Sequence, residues 1–276
     1  MGWEAARALA SLGGFHLLPG RAEIPSEVIG LLSDHDVAYR SLALARANHP
    51  SRFLALLLDR SFECSGVAKM AFDENGRAAL AREATAITDA SHFFTEAVQP
   101  SRLQKAVDGL LVLEPVQWLP RILPWRLPGQ VAFAVGAYSR SKSAPSNGDE
   151  AAAHGDFAPW NLLRIKRGWV LLDWEHSSAS RPPFFDMWHY LLQSHTLLGH
   201  PSTQDLIAAL RGSPGWVREA LVEYSRGCGR SSEQAIDYLD AYIEASTDQL
   251  AGQSKNERRG IDERMRLRQE ISELRL

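Results

Sequence analysis

The chain has 276 residues, 45% of them hydrophobic and 23% charged, which is enough apolar material for a sizeable core and excludes a disordered or fibrous chain. Its 30 Lys and Arg against 33 Asp and Glu leave a formal charge of -3, so no global basic field exists to attract nucleic acid or an anionic membrane, and a small solute is the expected partner. The two cysteines, Cys64 and Cys228, exclude a disulfide framework, a zinc knuckle and a CxxC redox site.

The opening stretch, Met1 to Pro19, carries Glu4 and breaks at Gly13-Gly14, so it lacks the layout of a secretory signal. No run approaches the roughly 18 uncharged apolar residues of a membrane span. A soluble, cytoplasmic protein is expected.

Phe53 to Asp59 and Gly66 to Phe72 read as two strands in a hairpin-like arrangement. A period of two puts Val67, Lys69 and Ala71 on one face of the second strand, so Lys69 sits in a stripe of small residues. After the turn residues Asp73 to Gly76, the Ala-rich segment from Arg77 to about Ala90 is expected to be helical. On that helix Glu83 shares the face of Leu80 and Ile87, an odd place for an unpaired charge.

Leu110 to Leu113 is another apolar run, stopped by Glu114-Pro115. The lobe boundary is placed here, giving residues 1–113 and 114–276. A helix near Gln130 to Tyr138 leads into a polar loop, Ser139 to Glu150, and the pattern is helical beyond Phe184. The tail from Lys255 to Leu276, with seven basic and five acidic residues, is expected to form a terminal helix.

The chemistry concentrates in His154-Gly155-Asp156-Phe157-Ala158-Pro159-Trp160-Asn161, followed by two apolar runs, Leu162 to Ile165 and Trp169 to Leu172, and then Asp173-Trp174-Glu175. The runs form a hairpin around a three-residue turn, Lys166-Arg167-Gly168. With Ile165 opposite Trp169, Asn161 faces Asp173, roughly 4.5 to 5.5 Å apart at Cβ. An amide oxygen and a carboxylate so placed suit a hard cation such as magnesium.

H-x-D-x-x-x-x-N followed by an Asp after a hairpin resembles the protein-kinase catalytic arrangement. In the form HGDFAPWN with DWE it is similar to the aminoglycoside phosphotransferase and choline kinase superfamily of small-molecule kinases. The resemblance is strong from Ala153 to about Tyr190 and weaker back to Arg40. It implies an α+β, protein kinase-like bilobal fold, with a small antiparallel-sheet N-lobe and a mainly helical C-lobe. It also implies an ATP- and Mg2+-dependent kinase acting on a small-molecule hydroxyl acceptor.

On that resemblance Asp156 orients or deprotonates the acceptor hydroxyl, Asn161 and Asp173 hold magnesium, and Glu175 assists at a second metal. Lys69 grips the nucleotide phosphates while paired with Glu83. His154 is structural, and Asp186 either buttresses the catalytic loop or caps the helix that follows. No glycine lies between Arg40 and Ser65, so the phosphate loop is Ala45 to Ser51, using Asn48 and Ser51, with Glu114 also on the nucleotide side.

A loose, charge-rich phosphoryl transition state needs positioning and cations more than covalent chemistry, which accounts for these residue types. From Leu197 to Leu250, eight acidic residues against four basic ones suit a cationic or polyol acceptor, although solvated helix faces are the plainer reading. Two alternatives stay open: a pseudokinase that engages a protein partner, and a metal-dependent hydrolase built on Asp156 and Asp173. Neither nucleic acid nor membrane is expected as a partner, and the sequence leaves oligomeric state open.

Overall fold

Alternating burial builds the first part of the chain. The computed structural model describes residues 24–46, 51–141, 150–250, 265–266 and 268–271. Asn48 and most of the expected phosphate loop lie outside the described residues. So does most of the tail, of which 265–266 and 268–271 are helical. The chain divides into two compact units. Of the described residues, the first takes those up to His92, Gln99–Pro120 and Leu163–Glu175; the second takes Phe93–Val98, those of Arg121–Leu162 and those from His176 onward.

The first unit holds α1 (Ser26–Asp34), β1 (Ser41–Arg46), β2 (Arg52–Leu58), β3 (Cys64–Ala71), α2 (Glu74–Phe93), β4 (Val98–Pro100), β5 (Leu103–Val107) and β6 (Leu110–Leu113). Five of its strands form an antiparallel sheet in the order β1-β2-β3-β6-β5. Phe53, Ala55 and Leu57 of β2, Ala68 and Met70 of β3, and Leu110 and Val112 of β6 pack with Val28 and Leu32 of α1, which is the period of two written out in space. Lys69 therefore points to the other face. β6 is an inner strand, between β3 and the edge strand β5, and all four of its residues are buried.

α2 begins at Glu74, earlier than the turn-like Asp73 to Gly76 suggests. Asp73 caps it instead: its carboxylate accepts from Gly76 N and its carbonyl from Arg77 N. The buried stripe of α2 is Ala79, Leu80, Glu83, Ala86, Ile87 and Ala90, spaced at three and four residues as a packed helix face requires.

β8 (Leu162–Ile165) and β9 (Gly168–Leu171) lie beside each other with β4 next to β9. The turn between them is Lys166-Arg167; Gly168, at φ 135°, is already in the strand. Nor do Asn161 and Asp173 oppose each other as ladder residues, as the three-residue turn implied. Asn161 belongs to a 3-10 turn, Pro159–Asn161, and Asp173 lies two residues beyond β9 in a left-handed conformation, φ 65°.

The second unit holds α3 (Gly129–Ser141), β7 (Ala151–Ala153), β10 (Ser178–Arg181), α4 (Phe185–Leu198), α5 (Thr203–Leu210), α6 (Trp216–Cys228) and α7 (Leu239–Leu250). α3 and α6 approach backbone to backbone: a Cβ on Gly136 would lie 2.2 Å from the Tyr224 carbonyl oxygen, and one on Gly227 2.2 Å from that of Phe133. β7 pairs antiparallel with β10, Ala153 opposite Ser178, which fixes both ends of the segment leading into His154. Among the described residues no helix is long and apolar enough to cross a membrane.

Candidate functional site

Polar side chains gather in two clusters, one in each unit. In the first unit, Lys69 Nζ donates to Glu83 Oε1 at 2.6 Å and Oε2 at 2.9 Å, and to Asp173 Oδ1 at 2.8 Å. Glu83 is fully buried, Asp173 is buried, and Lys69 is partly buried. The ammonium is what makes a carboxylate tolerable on the buried face of α2. Asp173 is held in its left-handed turn, a conformation Asp accepts more readily than most residues. The next residue anchors the turn: Trp174, 1% exposed, donates Nε1–H to the Leu171 carbonyl.

Carboxylate oxygens of Glu83, Asp173 and Glu175 lie within 4.8 Å of one another. Arg52, the first residue of β2, comes within 3.8 Å of Glu175. This all-oxygen donor set, flanked by two cations, has the chemistry that a hard divalent ion and a polyphosphate require. Ser51 is bonded through its hydroxyl to Asp73. Glu114 is exposed at the end of β6, with Arg102 3.9 Å away.

The second cluster is built on the loop from His154 to Asn161. Gly155 has φ 84°, and a Cβ there would stand 2.0 Å from the His176 carbonyl oxygen; no other residue type fits. Asp186 lies on the first turn of α4, but its carboxylate reaches away from the helix. Oδ2 accepts from His154 N at 2.8 Å and Oδ1 from Gly155 N at 3.0 Å. Burial pushes its carboxyl up to about 6, against these two backbone N–H groups and Arg181, which favour the charge. His154, also fully buried, accepts at Nδ1 from Asp156 N at 3.3 Å.

Asp156, partly exposed, is gripped from two sides. Asn161 Nδ2 donates to its Oδ2 and to its carbonyl, both at 2.8 Å. His189 Nε2 lies 3.1 Å from its Oδ1. Asn161 is 1% exposed, and while its amide nitrogen is fully used, its Oδ1 is buried with no hydrogen-bond partner. A buried carbonyl oxygen without a donor is costly in a native fold and is accounted for when it is a ligand. Arg121 holds the 3-10 turn from behind, donating to the carbonyls of Pro159 and Leu162 at 3.1 and 3.3 Å and to Tyr190 Oη at 3.1 Å.

The structure thus brings together Lys69, Glu83, Asp173 and Glu175 in one unit, and His154, Asp156, Asn161 and Asp186 in the other. Sequence reasoning did not find Arg52, Arg121 or His189. The last had a signal: it lies three residues after Asp186 and so on the same helix face.

No protein-family model and no curated protein matches the sequence. Among solved structures the chain is similar to a ternary complex of APH(2")-IIa with streptomycin and ATP, at TM-score 0.54 and 10% identity over 89% of this chain and 97% of that one. It is also similar to the apoenzyme of macrolide 2'-phosphotransferase MphH from Brachybacterium faecium, at 0.52 and 13% over 87% and 98%. A third is ADP-bound aminoglycoside phosphotransferase APH(2'')-Ib, at 0.50 and 11% over 89% and 97%. The chain has the protein kinase-like α+β fold of these small-molecule phosphotransferases.

Proposed function

We propose that the chain is an ATP- and magnesium-dependent phosphotransferase that passes the γ-phosphoryl group to a hydroxyl of a small molecule. The observation that carries this reading is Asn161: its nitrogen is committed to Asp156, and its buried Oδ1 is left without a protein partner. That is how an amide in a fixed loop serves a cation. The similarity to aminoglycoside and macrolide phosphotransferases supports the same reading.

In this reading Asn161 and Asp173 hold magnesium, Glu175 assists at a second ion, and bound magnesium neutralises charge on the phosphate oxygens. Lys69, kept in place by Glu83, contacts the nucleotide phosphates, and Ser51 and Glu114 are assigned to the nucleotide side. Asp156 accepts the proton of the acceptor hydroxyl or orients it. Asp186 and His154 hold the loop on which Asp156 is carried. The acceptor is a polyol or amino alcohol of the aminoglycoside or sugar type, a choice supported by the similarity to aminoglycoside phosphotransferases.

The test is mass-spectrometric profiling of a small-metabolite extract incubated with ATP, magnesium and the protein, beside the Asp156→Ala variant. A product heavier by one phosphoryl group, made only by the wild type, is the expected result and names the acceptor. Absence of nucleotide binding in a thermal-shift titration with millimolar ATP and magnesium overturns the reading, since ligand at 100 times its Kd stabilises by about 2.7 kcal/mol.

A further inference from the structure

His189, on α4, belongs to none of the roles assigned above, yet it is buried and held at both ring nitrogens. Its ring is 7% exposed, with Nε2 3.1 Å from Asp156 Oδ1 on one side and Nδ1 3.3 Å from the hydroxyl of Tyr242, on α7, on the other. Phe185 stacks on the ring at 6.0 Å between centroids, and Tyr242 meets it edge-on at 6.1 Å. Tyr242 is itself fully buried. The imidazole is thus clamped in plane and at both nitrogens.

A carboxylate can only accept, so the Nε2 facing Asp156 carries the proton. In the neutral ring this leaves Nδ1 as an acceptor, which the Tyr242 hydroxyl supplies with a donor. Gln193 Nε2, at 3.5 Å from the same Nε2, is itself a donor and cannot accept the proton that His189 gives to Asp156. Asp156 thus receives a bond from Asn161 at Oδ2 and one from His189 at Oδ1. Two donors from different segments stop the carboxylate rotating about its Cβ–Cγ bond, so its plane has a fixed direction.

We propose that His189, set by Tyr242, is the positioning residue for Asp156: it fixes the direction in which the carboxylate meets the acceptor hydroxyl. The inference rests on the phosphotransferase reading and adds to it a residue that acts through Asp156. A group that acts only on geometry affects the step in which the proton and phosphoryl group move, and leaves nucleotide binding alone. Misplacement of a reacting group by about 1 Å costs on the order of 100-fold in rate.

The experiment measures ADP formation from MgATP with a panel of aminoglycosides, amino alcohols and sugars, together with MgATP binding by thermal shift. It compares wild type, His189→Phe, His189→Gln and Tyr242→Phe. Phe keeps a flat ring against Phe185 and Tyr242 but has no donor; Gln loses the ring but keeps an N–H donor. A positioning role gives a kcat lower by about 100-fold for His189→Phe, partial recovery in His189→Gln and an intermediate loss in Tyr242→Phe, with the KM for MgATP unchanged. A role in packing alone gives the opposite order, with Phe better than Gln in both melting temperature and rate, and overturns the proposal while leaving the phosphotransferase reading in place. Equal rates in wild type and His189→Phe overturn it in the same way. A wild type that neither binds MgATP nor forms ADP overturns the underlying reading, and the proposal with it.

Discussion

Lys69 Nζ lies 2.6 Å from Glu83 Oε1 and 2.8 Å from Asp173 Oδ1, so one ammonium from β3 serves a carboxylate of α2 and another from the turn after β9. Glu83 has no exposure to water. Removing the lysine leaves that charge buried and uncompensated, and Lys69→Ala is expected to destabilise by about 3–5 kcal/mol. Adding Glu83→Gln should recover part of this loss, because a neutral amide is cheaper to bury. A double-mutant cycle in urea checks it: additive losses would mean that the contact contributes no coupling.

The two aspartates of the proposed reaction separate by what each variant loses. Asp173→Ala removes a proposed metal ligand, and magnesium-dependent stabilisation by ATP is expected to disappear. Asp156→Ala leaves that stabilisation intact and lowers turnover by about 100- to 10,000-fold, the usual contribution of a positioned acid or base. Thermal-shift titrations with and without magnesium, paired with ADP release, measure both. Loss of ATP binding in Asp156→Ala would move that residue into the nucleotide site.

Gly155 makes a prediction about the loop itself. Its φ is 84°, and a Cβ added to it would stand 2.0 Å from the His176 carbonyl oxygen, so Gly155→Ala must move backbone, not a flexible side-chain end. A loss of at least about 2 kcal/mol is expected, above the usual range for a small exposed substitution. Gly30, where an added Cβ would meet nothing beyond its own helix within 4 Å, is the control: Gly30→Ala in α1 should be neutral or stabilising. Equal effects at the two positions in chemical denaturation would contradict the close approach.

What the sequence made legible was local. The loop residues 154–161, the pair Asp173 and Glu175, and Asp186 sit within about thirty residues, and Lys69 with Glu83 follows from two regular periods. Short strands were hidden. Ser41–Arg46 has only two leucines among its six residues, and Ala151–Ala153 is three alanines that become a strand only by pairing with β10. The β5–β6 hairpin did leave a signal, the Asp108-Gly109 pair between Val107 and Leu110. The β8–β9 turn is one residue shorter than the sequence suggests, because Gly168 suits the end of a turn and the start of a strand equally well. The bond from His189 to Asp156 spans 33 residues, and only the fold could bring that pair together.

Asp186 ties stability to pH. Burial raises its carboxyl from 3.8 to about 6 in the folded protein, so the folded state binds this proton at a pH where the unfolded chain has released it. The group therefore favours folding while protonated, and its contribution falls as pH rises from about 4 to about 6, then stays level. The span of about two units corresponds to roughly 3 kcal/mol. Asp186→Asn has no such titration, although its amide can accept only one of the two bonds from His154 N and Gly155 N and should be less active throughout. The stability of wild type minus that of Asp186→Asn, from urea unfolding at a series of pH values, is expected to decrease between pH of about 4 and 6 and to be flat above. A difference that does not change across that window would show that the Asp186 carboxyl titrates alike in the folded and unfolded chain.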